Sequence, residues 1–209
     1  MNNALILQLR ELVTADMSPK RARHTLAVEQ MAARLAALYC PEKEQMLRVA
    51  ALLHDVTKEW STERHAAFLK EHGITPTAMD LAAPKTLHAK TAALLIPEQY
   101  SEYADGEVIA AVRYHTTGRE DMTLCEQIVY LADYIDDSRT FPDCVTLRNA
   151  FWDAEPENMT QEQREAHLLR VLVQSFDLTI AGLIEDGAPV SADTFLARNS
   201  LILKLKIEK

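Results

Sequence analysis

The chain has 209 residues, 48% apolar and 25% charged, with a formal net charge of −9. That length can bury a sizeable core, the apolar share excludes a disordered chain, and the acidic balance excludes a general nucleic-acid binder, which would carry a basic face. Only 5 Gly and 8 Pro punctuate the sequence, which disfavours a turn-rich β protein and predicts an all-α one.

Apolar spacing predicts a short amphipathic helix over 3–15. Ser18-Pro19 then reads as an N-cap followed by proline at the first helical position, opening a helix to about Tyr39 that Pro41 ends. Leu26, Met31, Leu35 and Leu38 fall roughly on one face of it. A second helix is expected from about Glu42 to His54, with Met46, Val49, Ala50 and Leu53 at helical spacing. Shorter helices follow over 62–71, stopped by His72-Gly73, over 77–82, broken at Pro84, and from Leu87 to Leu95 before Pro97. The next runs from Glu107 to Tyr114, after which Thr116-Thr117-Gly118 turns the chain, and another covers 123–137. Phe141-Pro142 reads as the start of an irregular connection. A long helix from about Gln161 to Ile184 closes the core, and the tail from Ala192 to Lys209 holds a short helix and then basic residues. With no linker or repeat, a single domain over 1–209 is expected, its core about 18–185 and a C-terminal extension beyond.

Cys40, Cys125 and Cys144 are far apart, odd in number and without a CxxC pair, which argues against a disulfide framework or a zinc–thiolate site. Idle thiols in a reducing cytosol fit them better, so a cytoplasmic location is expected. No signal peptide and no membrane-spanning stretch are read in the chain.

The chemistry concentrates on histidine and aspartate. His54-Asp55 follows Val49-Ala50-Ala51-Leu52-Leu53, so the pair sits where a buried helix ends. Burying an imidazole and a carboxylate together is costly unless something binds them. A divalent metal would do so, and a hydrogen-bonded pair at the helix end is the alternative. Asp133 likewise interrupts an apolar helix, Val129-Tyr130-Leu131-Ala132-Asp133-Tyr134. His24 lies on the helix before the His54-Asp55 one, and His88 and His115 sit at helix edges. His65, His72 and His167 fall outside this series and are read as surface residues. Lys58, one turn beyond Asp55, reads as a charge for a phosphate or as a solvated lysine. The hydroxyls and backbone N–H groups of Thr116, Thr117 and Gly118 read as phosphate contacts or as a plain turn.

The ordered series H…HD…H…H…D resembles the two-metal members of the HD superfamily of metal-dependent phosphohydrolases. The segments HTLAVEQMAARLA, ALLHDVTKEW, TLHAKTAALL, VIAAVRYHTTGREDMTLCEQIVYLADYIDDSRTFPDC and ARNSLILK resemble the bacterial YqeK family, over roughly residues 18–200. The resemblance implies an HD-domain helical bundle and symmetrical cleavage of diadenosine tetraphosphate to two ADP by a water activated between two metals. It implies one metal on His24, His54, Asp55 and Asp133, with Asp55 bridging to a second that His88 and His115 complete. Lys58 would act in catalysis, with Lys58, Thr116, Thr117, Gly118 and Arg139 as substrate contacts. Iron is the implied metal, divalent or mixed-valence, while nitrogen and oxygen ligands without thiolates also suit Mn, Co, Ni or Zn. The implied partner is a dinucleoside polyphosphate, with no nucleic-acid polymer and no membrane, and a homodimer remains open. The chain departs from the family pattern at Thr57, at Ala89 and at Asp136-Asp137, none of which removes a ligand. A nucleotidase or phosphodiesterase on another nucleotide, a di-iron oxygenase of HD fold, and a non-catalytic nucleotide sensor are the rival readings. Lys58 and the TTG turn favour phosphate over a neutral polyol, and six ligands exceed what a sensor needs.

Overall fold

The computed structural model describes residues 3–207. Those residues form helices and no strand. In chain order the α-helices are α1 (Asn3–Ala15), α2 (Pro19–Tyr39), α3 (Glu44–Leu53), α4 (Thr62–Glu71), α5 (Ala78–Ala82), α6 (Leu87–Gln99), α7 (Gly106–Tyr114), α8 (Leu124–Ile135), α9 (Pro142–Trp152), α10 (Gln161–Glu185) and α11 (Ala192–Ile207). Side chains close several helix starts, at Ser18-Pro19 as the sequence predicts. Ser18 accepts from the Arg21 N–H with Pro19 at the first helical position, and Thr77/Asp80, Thr123/Glu126 and Thr160/Gln163 form reciprocal capping boxes.

The centre is the packing of α2, α3, α7 and α8, with α6 laid on α7. Leu35, Leu47, Leu52, Leu53, Val112 and Ile128 are fully buried there. Each such aliphatic side chain contributes about 1.5–3 kcal/mol on leaving water. α10 packs against α9 and α11, and its Phe176 stacks on Tyr130 of α8 with ring centroids 4.4 Å apart. One apolar cluster runs from Ile6 on α1 to Leu201 on α11.

Several sequence expectations change. Phe141-Pro142 opens a helix, α9, in place of an irregular connection. Pro142 occupies its first turn, and Cys144, Leu147 and Phe151 form its buried stripe. α6 continues through Pro97 to Gln99, since a proline so close to a helix end removes one hydrogen bond and leaves few turns to disrupt. The tail helix has 16 residues where a short one was expected, because Ala197 and Leu201 bury against the core; Glu208 and Lys209 lie outside the described residues. α10 does meet the length and composition of a membrane-crossing helix. Its face of Leu168, Leu172 and Phe176 is instead buried in the protein, as a core helix requires. Two histidines read as surface residues are buried. His65 bonds Thr91 Oγ1 at 2.8 Å, and His167 bonds the Phe151 carbonyl at 3.0 Å. His72 stays partly exposed, paired with Glu98 at 2.7 Å.

Candidate metal centre

Five helix ends or faces converge on one cluster. His24 comes from α2 and Asp133 from α8. His54 and Asp55 follow directly on α3, His88 lies in the first turn of α6, and His115 caps α7. All six are buried except Asp133, whose side chain keeps 19% exposure and opens the cluster to a cavity.

Local backbone chemistry aims three of the rings. Nδ1 of His54, His88 and His115 donates to the carbonyl three residues earlier, on Ala51, Lys85 and Val112, at 2.6, 2.8 and 2.6 Å. For His54 and His115 that carbonyl belongs to the last turn of α3 or α7, where the helix leaves it without a partner. The bond therefore caps the helix and places the ring proton on Nδ1. Each Nε2 lone pair then points into the cluster. His24 is held differently: its Nδ1 lies 3.3 Å from both Asp136 Oδ2 and Ser138 Oγ.

The carboxylate of Asp55 divides the cluster. Its Oδ2 faces His54 Nε2 at 3.3 Å and His24 Nε2 at 3.7 Å. Its Oδ1 faces His88 Nε2 at 3.2 Å and His115 Nε2 at 3.9 Å. Asp133 Oδ1 closes the first side, 2.9 Å from His24 Nε2 and 3.8 Å from His54 Nε2.

The donor set fits a metal. Nε2 of His54 is buried without a hydrogen-bond partner, a costly state that a cation relieves, and His24 Nε2 faces two carboxylates, Asp133 and Asp55, as a metal ligand would. His88 Nε2 and His115 Nε2 face each other at 2.9 Å although both rings carry their proton on Nδ1. Two lone pairs so placed repel unless a cation lies between them. Two nitrogens ~2.1 Å from one ion at a right angle would stand ~3 Å apart. His24, His54 and Asp133 form one compact ligand group and His54, Asp55 and His115 another.

Electrostatics agree. Burial pushes His88 and His115 down, which keeps them neutral and able to ligate. Burial also opposes protonation of His24, but Asp133 and Asp136 override it and raise that ring to about 9; the same carboxylates favour a metal at its Nε2. Asp133 is kept low against burial by Arg139, His24 and His54.

Of the remaining residues named from the sequence, Lys58 Nζ lies 3.2 Å from His88 Nε2, and burial lowers its pKa while Asp55 and Asp133 oppose that. Thr116 Oγ1 is 3.1 Å from His115 Nε2. Arg139 binds the carboxylate and the carbonyl of Asp133, so it serves a cluster residue first. Thr117 turns its hydroxyl to the Gly118 carbonyl at 2.9 Å. Gly118 donates its N–H to the Tyr114 carbonyl at 2.9 Å. Its φ is +63°, and a Cβ there would stand 2.7 Å from Phe176 and 2.8 Å from Ala197.

Three participants escaped the sequence reading. Arg21 donates to Asp55 Oδ2 from one turn before His24. Asp136, fully buried, orients His24 and is itself held by the Ser138 N–H at 2.8 Å. Thr57 is buried with its hydroxyl 2.9 Å from the His88 carbonyl and 2.9 Å from Thr91 Oγ1, joining the His54-Asp55 turn to α6. The i+3 spacing of Arg21 to His24 and of Asp133 to Asp136 was the available signal.

Comparison with known proteins is consistent. A family model described as HD domain matches residues 21–137, more than half of the chain. The chain is 30% identical over 206 residues to a protein of Halalkalibacterium halodurans named "Bis(5'-nucleosyl)-tetraphosphatase, symmetrical", covering 99% of this chain and 100% of that one. A Bacillus subtilis protein of the same name is 30% identical over 190 residues, 91% of this chain and 94% of that one. The crystal structure of a Clostridium acetobutylicum protein described as a "predicted HD superfamily hydrolase involved in NAD metabolism" superposes with a TM-score of 0.78 at 31% identity. It covers 94% of this chain and 96% of its own.

Proposed function

This chain belongs to the HD-domain hydrolase family, and on that premise we propose that it is a cytoplasmic enzyme cleaving diadenosine tetraphosphate symmetrically to two ADP. The observation that carries the reading is Asp55, one carboxylate with an oxygen turned to each of two histidine pairs. His24, His54, Asp55 and Asp133 would hold one metal ion, and Asp55, His88 and His115 a second. Such a pair, iron by family resemblance, would supply Lewis acidity toward a water and a phosphoryl oxygen.

The chain's own residues prepare the rest. Neutral imidazoles keep the cluster less negative than an all-carboxylate set, which favours a polyanionic substrate. Lys58 meets phosphate oxygens as a point charge, with Arg139 beside it in the same cavity. The Thr116 hydroxyl serves the His115 side. Water adds at one of the two inner phosphorus atoms, the bond from it to the oxygen between the two halves breaks, and that oxygen leaves with the other ADP. A phosphate leaving group needs little protonation, so no further acid is required.

Product analysis tests the reading. Metal-loaded protein incubated with diadenosine tetraphosphate should yield ADP alone. AMP with ATP, or no turnover, would overturn it. The Clostridium relative motivates a second substrate in the same assay, and faster cleavage of NAD would favour that dinucleotide instead.

Two further outcomes are expected. Metal analysis with anomalous scattering should find two ions per chain; a single ion with His88 and His115 both unliganded would remove the second site. Lys58→Ala should fold and keep its metals while kcat/KM falls about tenfold to a hundredfold, the worth of one partly shielded charge–phosphate contact. Unchanged kinetics would make Lys58 a bystander.

A further inference from the structure

The cluster opens on a central cavity that borders two others. The central one is walled by Lys58, His115, Asp133 and Arg139. Toward His24 it shares Arg139 and Phe141 with a cavity of about 480 Å³ whose other walls include Lys20, Arg21 and Arg23. Toward His88 and His115 it shares Lys85, Thr116 and Thr179 with a cavity of about 370 Å³ between the α5–α6 segment and the α10–α11 turn.

These two flanking cavities differ in chemistry. The first is strongly cationic and suits phosphate. The second changes character along its length. Its inner end holds Lys85 and the Thr116 hydroxyl, next to the cluster. Beyond that end its walls are mixed: apolar Ala83, Leu183 and Pro189, the carboxylates of Asp186 and Asp193, the Asp80–Lys90 ion pair at 2.5 Å and the Arg113 guanidinium. Carboxylates repel phosphate but accept hydrogen bonds from an exocyclic amine or a ribose hydroxyl. Apolar walls suit the face of a base. The volume falls within the range of small-molecule pockets, about 300–1,000 Å³.

We propose that this cavity is a nucleoside subsite, taking one base and its ribose while the attached phosphates reach the cluster past Lys85 and Thr116. It deepens the reading above and rests on it for the substrate. The two halves of a symmetrical substrate would then be held unequally, one nucleoside enclosed and the other half carried mainly by cations. The enclosed pocket would read the base, and the cationic cavity would tolerate variation in the second nucleoside.

Calorimetry on the metal-loaded protein separates base from phosphate. ADP should bind more tightly than inorganic pyrophosphate, which has no base. Ala83→Trp and Leu183→Trp fill the cavity from opposite walls, both at half-buried positions. Each should weaken ADP by about tenfold or more and narrow its advantage over pyrophosphate. Circular dichroism and metal content identify a misfolded variant, and the other variant then decides. ADP binding no tighter than pyrophosphate in the parent protein, or unchanged ADP affinity in a folded variant, overturns the subsite. Failure of the proposed function looks different: ADP would still be preferred over pyrophosphate, while diadenosine tetraphosphate would not be cleaved.

Discussion

Asp55→Ala is expected to lower turnover by more than about 10³-fold while the helices survive. Asp55 lies in the turn after α3, and its carboxylate pairs with Arg21 and with the cluster histidines. The Lys58 N–H bond to its carbonyl, 2.9 Å, does not depend on the side chain, so the turn persists. What is lost is the negative charge between two histidine pairs. Two cations without that charge repel, and at least one should leave. His88→Ala should be milder, because His24, His54, Asp55 and Asp133 remain as a complete set. Metal content and turnover of both variants, with circular dichroism for folding, form the comparison. Two retained ions and near-normal turnover in folded Asp55→Ala would show that the two histidine pairs act independently of a shared carboxylate.

Gly118→Ala should destabilise the protein by about 2–5 kcal/mol, from left-handed backbone strain together with overpacking. The φ of +63° is unfavourable to any side chain, and the new methyl would meet Phe176 and Ala197 below 3 Å. Both neighbours are fully buried, so neither yields without moving α10 or α11. For a chain of this size the melting temperature should drop by about 4–20 °C. A phosphate-binding glycine would behave otherwise, losing turnover with stability nearly intact. Thermal melts beside kinetics separate the two roles. A stable, slow Gly118→Ala would restore the phosphate reading of the turn.

The sequence by itself determined the helical class and nearly every helix position, since apolar residues at helical spacing leave one way to bury a stripe. It also brought out His54, Asp55 and Asp133, which end or interrupt apolar helical runs, while His24, His88 and His115 joined them through the ordered series that resembles the two-metal HD proteins. Tertiary structure decided what local patterns do not encode. α9 starts at Pro142 with Phe141 in the N-cap position and no capping hydroxyl, and its buried stripe is only Cys144, Leu147 and Phe151 among polar neighbours, so its helicity depends on the surface it covers. His65 and His167 sit in polar stretches yet are buried by α6 and α9, which supply the hydroxyl and the carbonyl that satisfy them. Arg21 and Asp136 became part of the site through contacts with residues 34 and 112 positions away, Asp55 and His24. Gly118 read as a phosphate contact or a plain turn because Phe176 and Ala197, which close over it, are far along the chain. Local sequence specifies how a segment buries its own apolar face; the partner of a buried charge, and the space left around a glycine, exist only once distant segments meet.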